Sequence, residues 1–355
     1  MTDDRPRALL VFPGRGAYTA ASLGSLPTGH PFVQRAEALR AELGLDSLLA
    51  LDAADEFEAS VHLRPANASP LIWLISLLDA ERAMADHRVV AVIGNSLGWY
   101  TALTVGDALD FDDAFQLVQG IALLQEEAAA DGSGGQVIYP RSGADWQPAP
   151  ELAAAIDAAL IDGGEVFPSV DLGGYLVLAG TDAGIGRLLE TLPPVQIGER
   201  LFPLRLAFHG PYHTPLVAGV STEAQARYST LGWRAPVVTL IDGRGARFTP
   251  WATNPVELAW YTLGEQIITP YRFATGARVA LREYAPDVLV LTGPGNTLGG
   301  VAGQLVVAEG YHGLRTRADF ESAQAGDSPL VLSMHGRPRS AFRRSPSQWA
   351  PRTRR

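Results

Sequence analysis

The segment VVAVIGNSLGWYTALTV, residues 89–105, passes from a run of valines into a Gly-x-Ser-x-Gly turn and then into an apolar helical pattern. A strand that enters a helix through so tight a turn is half of a βαβ unit, and such units build parallel sheets covered by helices. The rest of the chain repeats the alternation. RALLVFPG (7–14) reads as a buried strand ended by Pro and Gly. SPLIWLISLLDAERAMADH (69–87) reads as a helix with Ser69 as N-cap and Pro70 at its first position. FDDAFQLVQGIALLQEEAAA adds a helix, and VVTLID and VLVLTGPG (288–295) add strands. The fold class expected is therefore α/β with a mostly parallel sheet.

From about 134 to 203 the pattern changes to a β-α-β-α series of its own, GQVIYP, PELAAAIDAALIDG, GGYLVLAGT and DAGIGRLLETL, which predicts a small inserted ferredoxin-like subdomain. The expected organisation is a large core over 1–133 and 204–333, the subdomain over 134–203, and a tail over 334–355. That tail holds seven arginines and no periodicity, the composition of a disordered segment.

With 355 residues, 47% hydrophobic and 19% charged, the chain has ample material for a sizeable core. A net charge of −10 argues against a nucleic-acid partner, because a phosphate backbone requires a basic surface. No apolar run approaches the roughly 18 residues of a membrane span, and the acidic start MTDDRPR is unlike a secretory signal. A cytoplasmic protein that acts at no membrane, and a monomer, are the expectations. The absence of cysteine excludes disulfides, thiolate metal sites and a cysteine nucleophile; no metal site is expected. All 28 basic residues are arginine.

In Gly94-Asn95-Ser96-Leu97-Gly98 the two glycines permit a sharp turn that lifts the Ser96 hydroxyl off the end of the sheet. The same turn leaves the Leu97 N–H free to bind an oxyanion. Ser96 is thus the candidate acyl-accepting nucleophile, although the same residues also suit a structural turn with a serine helix cap. A serine needs a base, and HGPYHTPL (209–216) places two histidines around a proline turn that starts a helix. Spacing does not choose between His209 and His213.

These residues resemble the malonyl-CoA:acyl-carrier-protein transacylase family, the acyltransferases of fatty acid and polyketide synthesis. Phe12-Pro13-Gly14-Arg15-Gly16-Ala17-Tyr18 resembles the family's Phe-Pro-Gly-Gln-Gly-Ser-Gln, and Gly94-Asn95-Ser96-Leu97-Gly98-Trp99-Tyr100 its Gly-His-Ser-Leu-Gly-Glu-Tyr. Tyr212-His213-Thr214-Pro215-Leu216 resembles the Phe-His-Ser/Thr-Pro-Leu of the catalytic histidine, which selects His213. Gln266 to Phe273 and Leu291 to Leu298 resemble the Gln-x-x-x-Pro-Val-Arg-Trp and Glu-x-Gly-Pro-Gly-x-x-Leu segments, so the likeness runs from about 7 to 305. It implies a hydrolase-like core with a ferredoxin-like small domain and the site between them. It also implies attack by Ser96 on acyl-CoA with His213 as base, an oxyanion held by the N–H groups of Leu97 and Tyr18, and transfer to the phosphopantetheine thiol of an acyl carrier protein. No cofactor is implied.

The departures concern the acyl pocket. The family clamps the malonyl carboxylate with an arginine in Arg-Gly-x-x-Met-Gln, and the register set by Gln125 puts Gly120 there. Asn95, Trp99 and Arg15 replace the family's histidine, glutamate and glutamine, and with Gln266 they complete the candidate pocket residues. Either the acyl group lacks a carboxylate, with Trp99 making the pocket apolar, or Arg15 binds it from another side. Three rival readings remain: a thioester hydrolase using water as acceptor, a non-catalytic docking homologue, and a dinucleotide loop at LLVFPGRGAYT, whose Gly-x-Gly lacks the third glycine.

Overall fold

The computed structural model describes residues 3–130, 134–161 and 164–336. In chain order its strands are β1 (Arg7–Phe12), β2 (Arg88–Gly94), β3 (Gly135–Pro140), β4 (Val166–Asp171), β5 (Tyr175–Gly180), β6 (Val195–Ile197), β7 (Arg200–Phe202), β8 (Leu204–Arg205), β9 (Leu240–Ile241), β10 (Arg247–Phe248), β11 (Val288–Leu291) and β12 (Val331–Ser333). The large sheet runs β10-β9-β2-β1-β11-β12, parallel throughout except where β10 meets β9. From its second residue onward β1 is buried, so both its faces are covered, which is why RALLVF reads as one apolar run. The chain leaves β1 to one side for β2 and returns on the other as β11. That reversal of order opens a crevice at the carboxyl ends of the strands.

The helix expected from Ser69 starts a turn earlier. It spans Pro65–Asp86 with Pro65 in its first turn, and Pro70 lies inside it. A proline within a helix removes the N–H that would bond the carbonyl four residues before it, here Ala66. Two buried side chains supply that carbonyl instead: Arg40 Nη1 at 2.7 Å and Gln119 Nε2 at 3.1 Å. Arg40, 1% exposed, also donates to Asn67 Oδ1, Gln119 Oε1 and the Asp46 carbonyl.

The inserted segment forms a four-stranded antiparallel sheet ordered β4-β5-β3-β8, with helices Pro150–Ile161 and Asp182–Thr191 after β3 and β5. This is the βαββαβ order of a ferredoxin-like unit. It differs from the sequence expectation in two strands. β4 carries Pro168, which reads as a breaker but lies on the edge strand at a register shift, where a missing donor costs no ladder bond. β8 extends the sheet to Arg205, past the boundary expected at 203. Tyr271 of the core exchanges backbone bonds with this sheet, its N–H donating to Ser169 O (2.8 Å) and its carbonyl accepting from Asp171 N (2.9 Å).

At the other end, Met334 is buried and its N–H bonds Leu291 O at 2.9 Å, so the ordered core runs past the expected start of the tail. The arginines from 337 onward lie outside the described residues. No helix among the described residues is long and apolar enough to cross a membrane.

Candidate active site

β2 ends at Gly94, and the Asn95 N–H donates to Phe12 O (2.9 Å), tying the turn to the neighbouring end of β1. Ser96 then adopts φ +54°, a left-handed conformation that costs a non-glycine residue on the order of 1–3 kcal/mol. Helix Gly98–Val105 follows at once. Both glycines are obligatory for spatial reasons. A Cβ on Gly94 would lie 2.0 Å from the Gly98 carbonyl carbon, and one on Gly98 would lie 2.4 Å from Phe12 O.

Ser96 Oγ stands 2.7 Å from His213 Nε2. His213, itself at φ +60°, is 4% exposed, and its Nδ1 stands 2.7 Å from the carbonyl of Gln266. A carbonyl can only accept, so Nδ1 carries the proton and Nε2 presents a lone pair to the serine hydroxyl. That carbonyl is available because residue 270 is proline: the N–H four residues on, which would occupy it in a helix, does not exist. A π-helical turn over Tyr261–Glu265 delivers Gln266 to this point, a local irregularity of the kind often found at functional sites. The next carbonyl, Ile267 O, accepts the His213 N–H at 3.0 Å. Burial, opposed by the Gln266 bond and reinforced by the Arg15 charge, pulls His213 down to about 4. The ring is therefore neutral near pH 7.

Of the two histidines left open by spacing, only His213 meets the serine. His209 Nδ1 lies 2.7 Å from Gln136 Oε1, whose amide donates to Ser169 Oγ (2.6 Å), and that hydroxyl donates to Tyr212 O (2.8 Å). The small sheet thus holds the peptide just before His213. Gln266 does more than line the pocket: its Oε1 accepts from Tyr100 Oη (3.0 Å) and its Nε2 reaches Ser96 O at 3.4 Å. Tyr271, which sequence reasoning did not single out, donates from its hydroxyl to Gly94 O and sets its ring 5.5 Å from that of His213. Its only sequence signal is its place directly after Pro270.

Ser96, Leu97, His213 and Gln266 line a cavity of about 30 Å³ together with Arg15 and the Val118, Ile121, Ala122 and Gln125 face of helix Phe111–Ala130. A larger cleft of about 530 Å³ begins at Asn95, Ser96 and Arg15 and continues along Ile138, Tyr175 and Val177 of the small sheet.

Three expected residues fall outside these spaces. Gly120 faces the Ala218–Tyr228 helix, where an added Cβ would lie 1.8 Å from Tyr228 Oη. Five residues back from Gln125 is about 500° of helix, which leaves position 120 roughly 140° away from the pocket face. Trp99 is fully buried, donating to Thr262 Oγ1 (2.9 Å) and packing edge-on against Tyr261, so it is core rather than pocket wall. The Tyr18 side chain donates to Asp52 Oδ1 at 2.7 Å and Tyr18 does not line the Ser96 cavity; the residue of the Arg15–Ala17 turn that does is Arg15.

No family profile matches the chain. Among curated proteins, the malonyl CoA-acyl carrier protein transacylase of Haemophilus influenzae is 26% identical over 308 residues, 84% of this chain and 91% of that protein. The non-reducing polyketide synthase nscA of Trichophyton rubrum is 29% identical over 250 residues, 68% of this chain but 13% of that much longer protein. Among solved structures, the acyl-carrier-protein S-malonyltransferase of Burkholderia pseudomallei superposes with a TM-score of 0.68 at 24% identity, covering 84% of this chain and 93% of its own. A malonyl-transacylase solved with its type II polyketide synthase acyl-carrier protein gives 0.69 at 22% identity, covering 84% and 93%. The structural likenesses show a shared fold, a hydrolase-like core with a small subdomain. The chain is thus similar in sequence to malonyl CoA-acyl carrier protein transacylases and shares the fold of acyl-carrier-protein S-malonyltransferases.

Proposed function

We propose that the protein moves an acyl group from coenzyme A to the phosphopantetheine thiol of an acyl carrier protein, in fatty acid or polyketide synthesis, through an acyl ester on Ser96. The observation that carries this reading is the relay from Ser96 Oγ through His213 to the Gln266 carbonyl. His213 Nε2 takes the hydroxyl proton as Oγ attacks the thioester carbonyl, and returns it to the departing coenzyme thiolate. The carrier thiol then gives its proton to the same nitrogen, attacks the ester, and Ser96 recovers its hydroxyl. A backbone carbonyl orients the histidine, so the relay needs no carboxylate. For the oxyanion, the N–H of Leu97 follows the nucleophile directly, and Leu97 lines the same cavity as Ser96.

The names borne by the relatives, transacylases and a polyketide synthase, support this reaction class. The test is intact-protein mass spectrometry after mixing with a panel of acyl-CoAs, with and without a phosphopantetheinylated carrier. A mass increase lost in Ser96→Ala and passed to the carrier is expected. An adduct that decays at one rate with or without carrier would replace transfer by hydrolysis. Absence of any adduct would leave a docking protein.

A further inference from the structure

Among the described residues two arginines are deeply buried, and the fold treats them in opposite ways. Arg40 is saturated by four side-chain and backbone acceptors. Arg15 is 9% exposed, its Nη1 and Nη2 are both inaccessible, and neither has a hydrogen-bond partner among the described residues. Its guanidinium carbon sits 4.2 Å from the centre of the Tyr212 ring, which braces one face of the fork and leaves its edge unused. Tyr212 Oη and Asn95 Oδ1 are likewise buried and without a hydrogen-bond partner among the described residues. All three residues line the cleft that contains Ser96. A buried guanidinium without a counter-ion is costly, and its planar fork matches a carboxylate in bidentate geometry.

Helix Phe111–Ala130 offers no charge to the same cavity, only Val118, Ile121, Ala122 and Gln125. The apolar-pocket alternative rested on Trp99, which is in the core. Building on the acyl transfer proposed above, we infer that Arg15 is the specificity-determining residue for the acyl group. From the loop after β1, its guanidinium binds the free carboxylate of a dicarboxylic acyl thioester, with the Tyr212 hydroxyl as an additional donor.

The phosphates of coenzyme A are a second anion that an arginine could hold, so the test separates the two. The rate of acyl-Ser96 formation is measured by intact mass with malonyl-CoA, with butyryl-CoA, which has the same phosphates and a neutral acyl group of similar length, and with malonyl-N-acetylcysteamine, which has no phosphate. Wild type should favour malonyl over butyryl at least 100-fold on coenzyme A, and the phosphate-free thioester should keep the dependence on Arg15. Arg15→Gln should collapse the malonyl-to-butyryl ratio by at least about 100-fold, the lower end of what a lost buried charge pair costs. Arg15→Lys, which keeps the charge and loses the fork, should fall between.

Equal slowing of both acyl groups in Arg15→Gln and Arg15→Lys, or a wild type that prefers butyryl, would overturn this inference while leaving acyl transfer intact. An Arg15 effect confined to the coenzyme A thioesters would reassign it to phosphate. No adduct from any thioester in the wild type would overturn the transfer reading and this one with it.

Discussion

Gly98→Ala tests whether the serine turn is held where it is by contact between backbones. The new Cβ would lie 2.4 Å from Phe12 O, 2.8 Å from Phe12 C and 3.0 Å from Phe12 Cβ. The two nearest atoms are backbone, so no rotamer change relieves the clash. Reaching the shortest tolerable separation requires the start of helix Gly98–Val105 to retreat from β1 by about 0.6 Å, and ordinary contact requires about 1 Å. Ser96 sits two residues ahead and moves with it. A 0.6 Å shift along the 2.7 Å bond to His213 would stretch it to roughly 3.3 Å, outside the range of a good O–H···N bond. The expected result is a loss of about 100-fold in the rate of acyl-Ser96 formation, with about 1–3 kcal/mol of stability. Single-turnover intact mass and a urea titration read the two effects. Gly219→Ala is the matched control: its Cβ meets nothing within 4 Å, and as a helical position it should gain about 0.5–1 kcal/mol at unchanged rate. A Gly98→Ala protein with wild-type rate and midpoint would refute the reasoning.

Arg40→Met should cost about 3–5 kcal/mol, read as a lowered urea midpoint, because Asn67 Oδ1, Gln119 Oε1 and Asp46 O lose a buried charged donor; a midpoint within error of wild type would refute it. Burial pulls His209 down to about 3 and His213 to about 4, in both cases below the ordinary 6.5, so protons bind the unfolded chain more tightly than the folded one. Stability should therefore be full above pH 6.5 and fall steadily as pH drops towards 3, while acylation should keep its neutral base down to about pH 4 instead of failing near 6.5. Urea midpoints and single-turnover rates across that range check both.

The parts of the fold legible in the sequence are those whose signal is local. Continuous apolar strands, Gly94 and Gly98 bracketing Ser96, and the proline turn before His213 all state their backbone requirement within a few residues. What depends on a distant neighbour was lost. Pro168 reads as a stop until the edge position of β4 is known, and Ser69-Pro70 reads as a helix start until Arg40 and Gln119 are seen to serve the carbonyl that Pro70 orphans. Which face of a helix meets a cleft is equally non-local: register from Gln125 puts Gly120 in the pocket and the elbow motif puts Trp99 there, whereas Gly120 packs against Tyr228 and Trp99 against Thr262 and Tyr261. Pro270 is the instructive middle case. The missing N–H was visible in the sequence, but its use, to free a carbonyl for the base, required the third dimension.

The central position of β1 has a consequence for how the molecule comes into being. Its partner β11 lies 280 residues further along, as the bond from the Arg7 N–H to Asp287 illustrates. At a synthesis rate of about 5–20 residues per second, Leu9, Leu10, Val11 and Phe12 wait roughly 15 to 60 seconds on the ribosome before that side of the sheet can close. A strand so apolar and so long unpaired is a natural client for chaperones and a natural seed for aggregation when synthesis stalls.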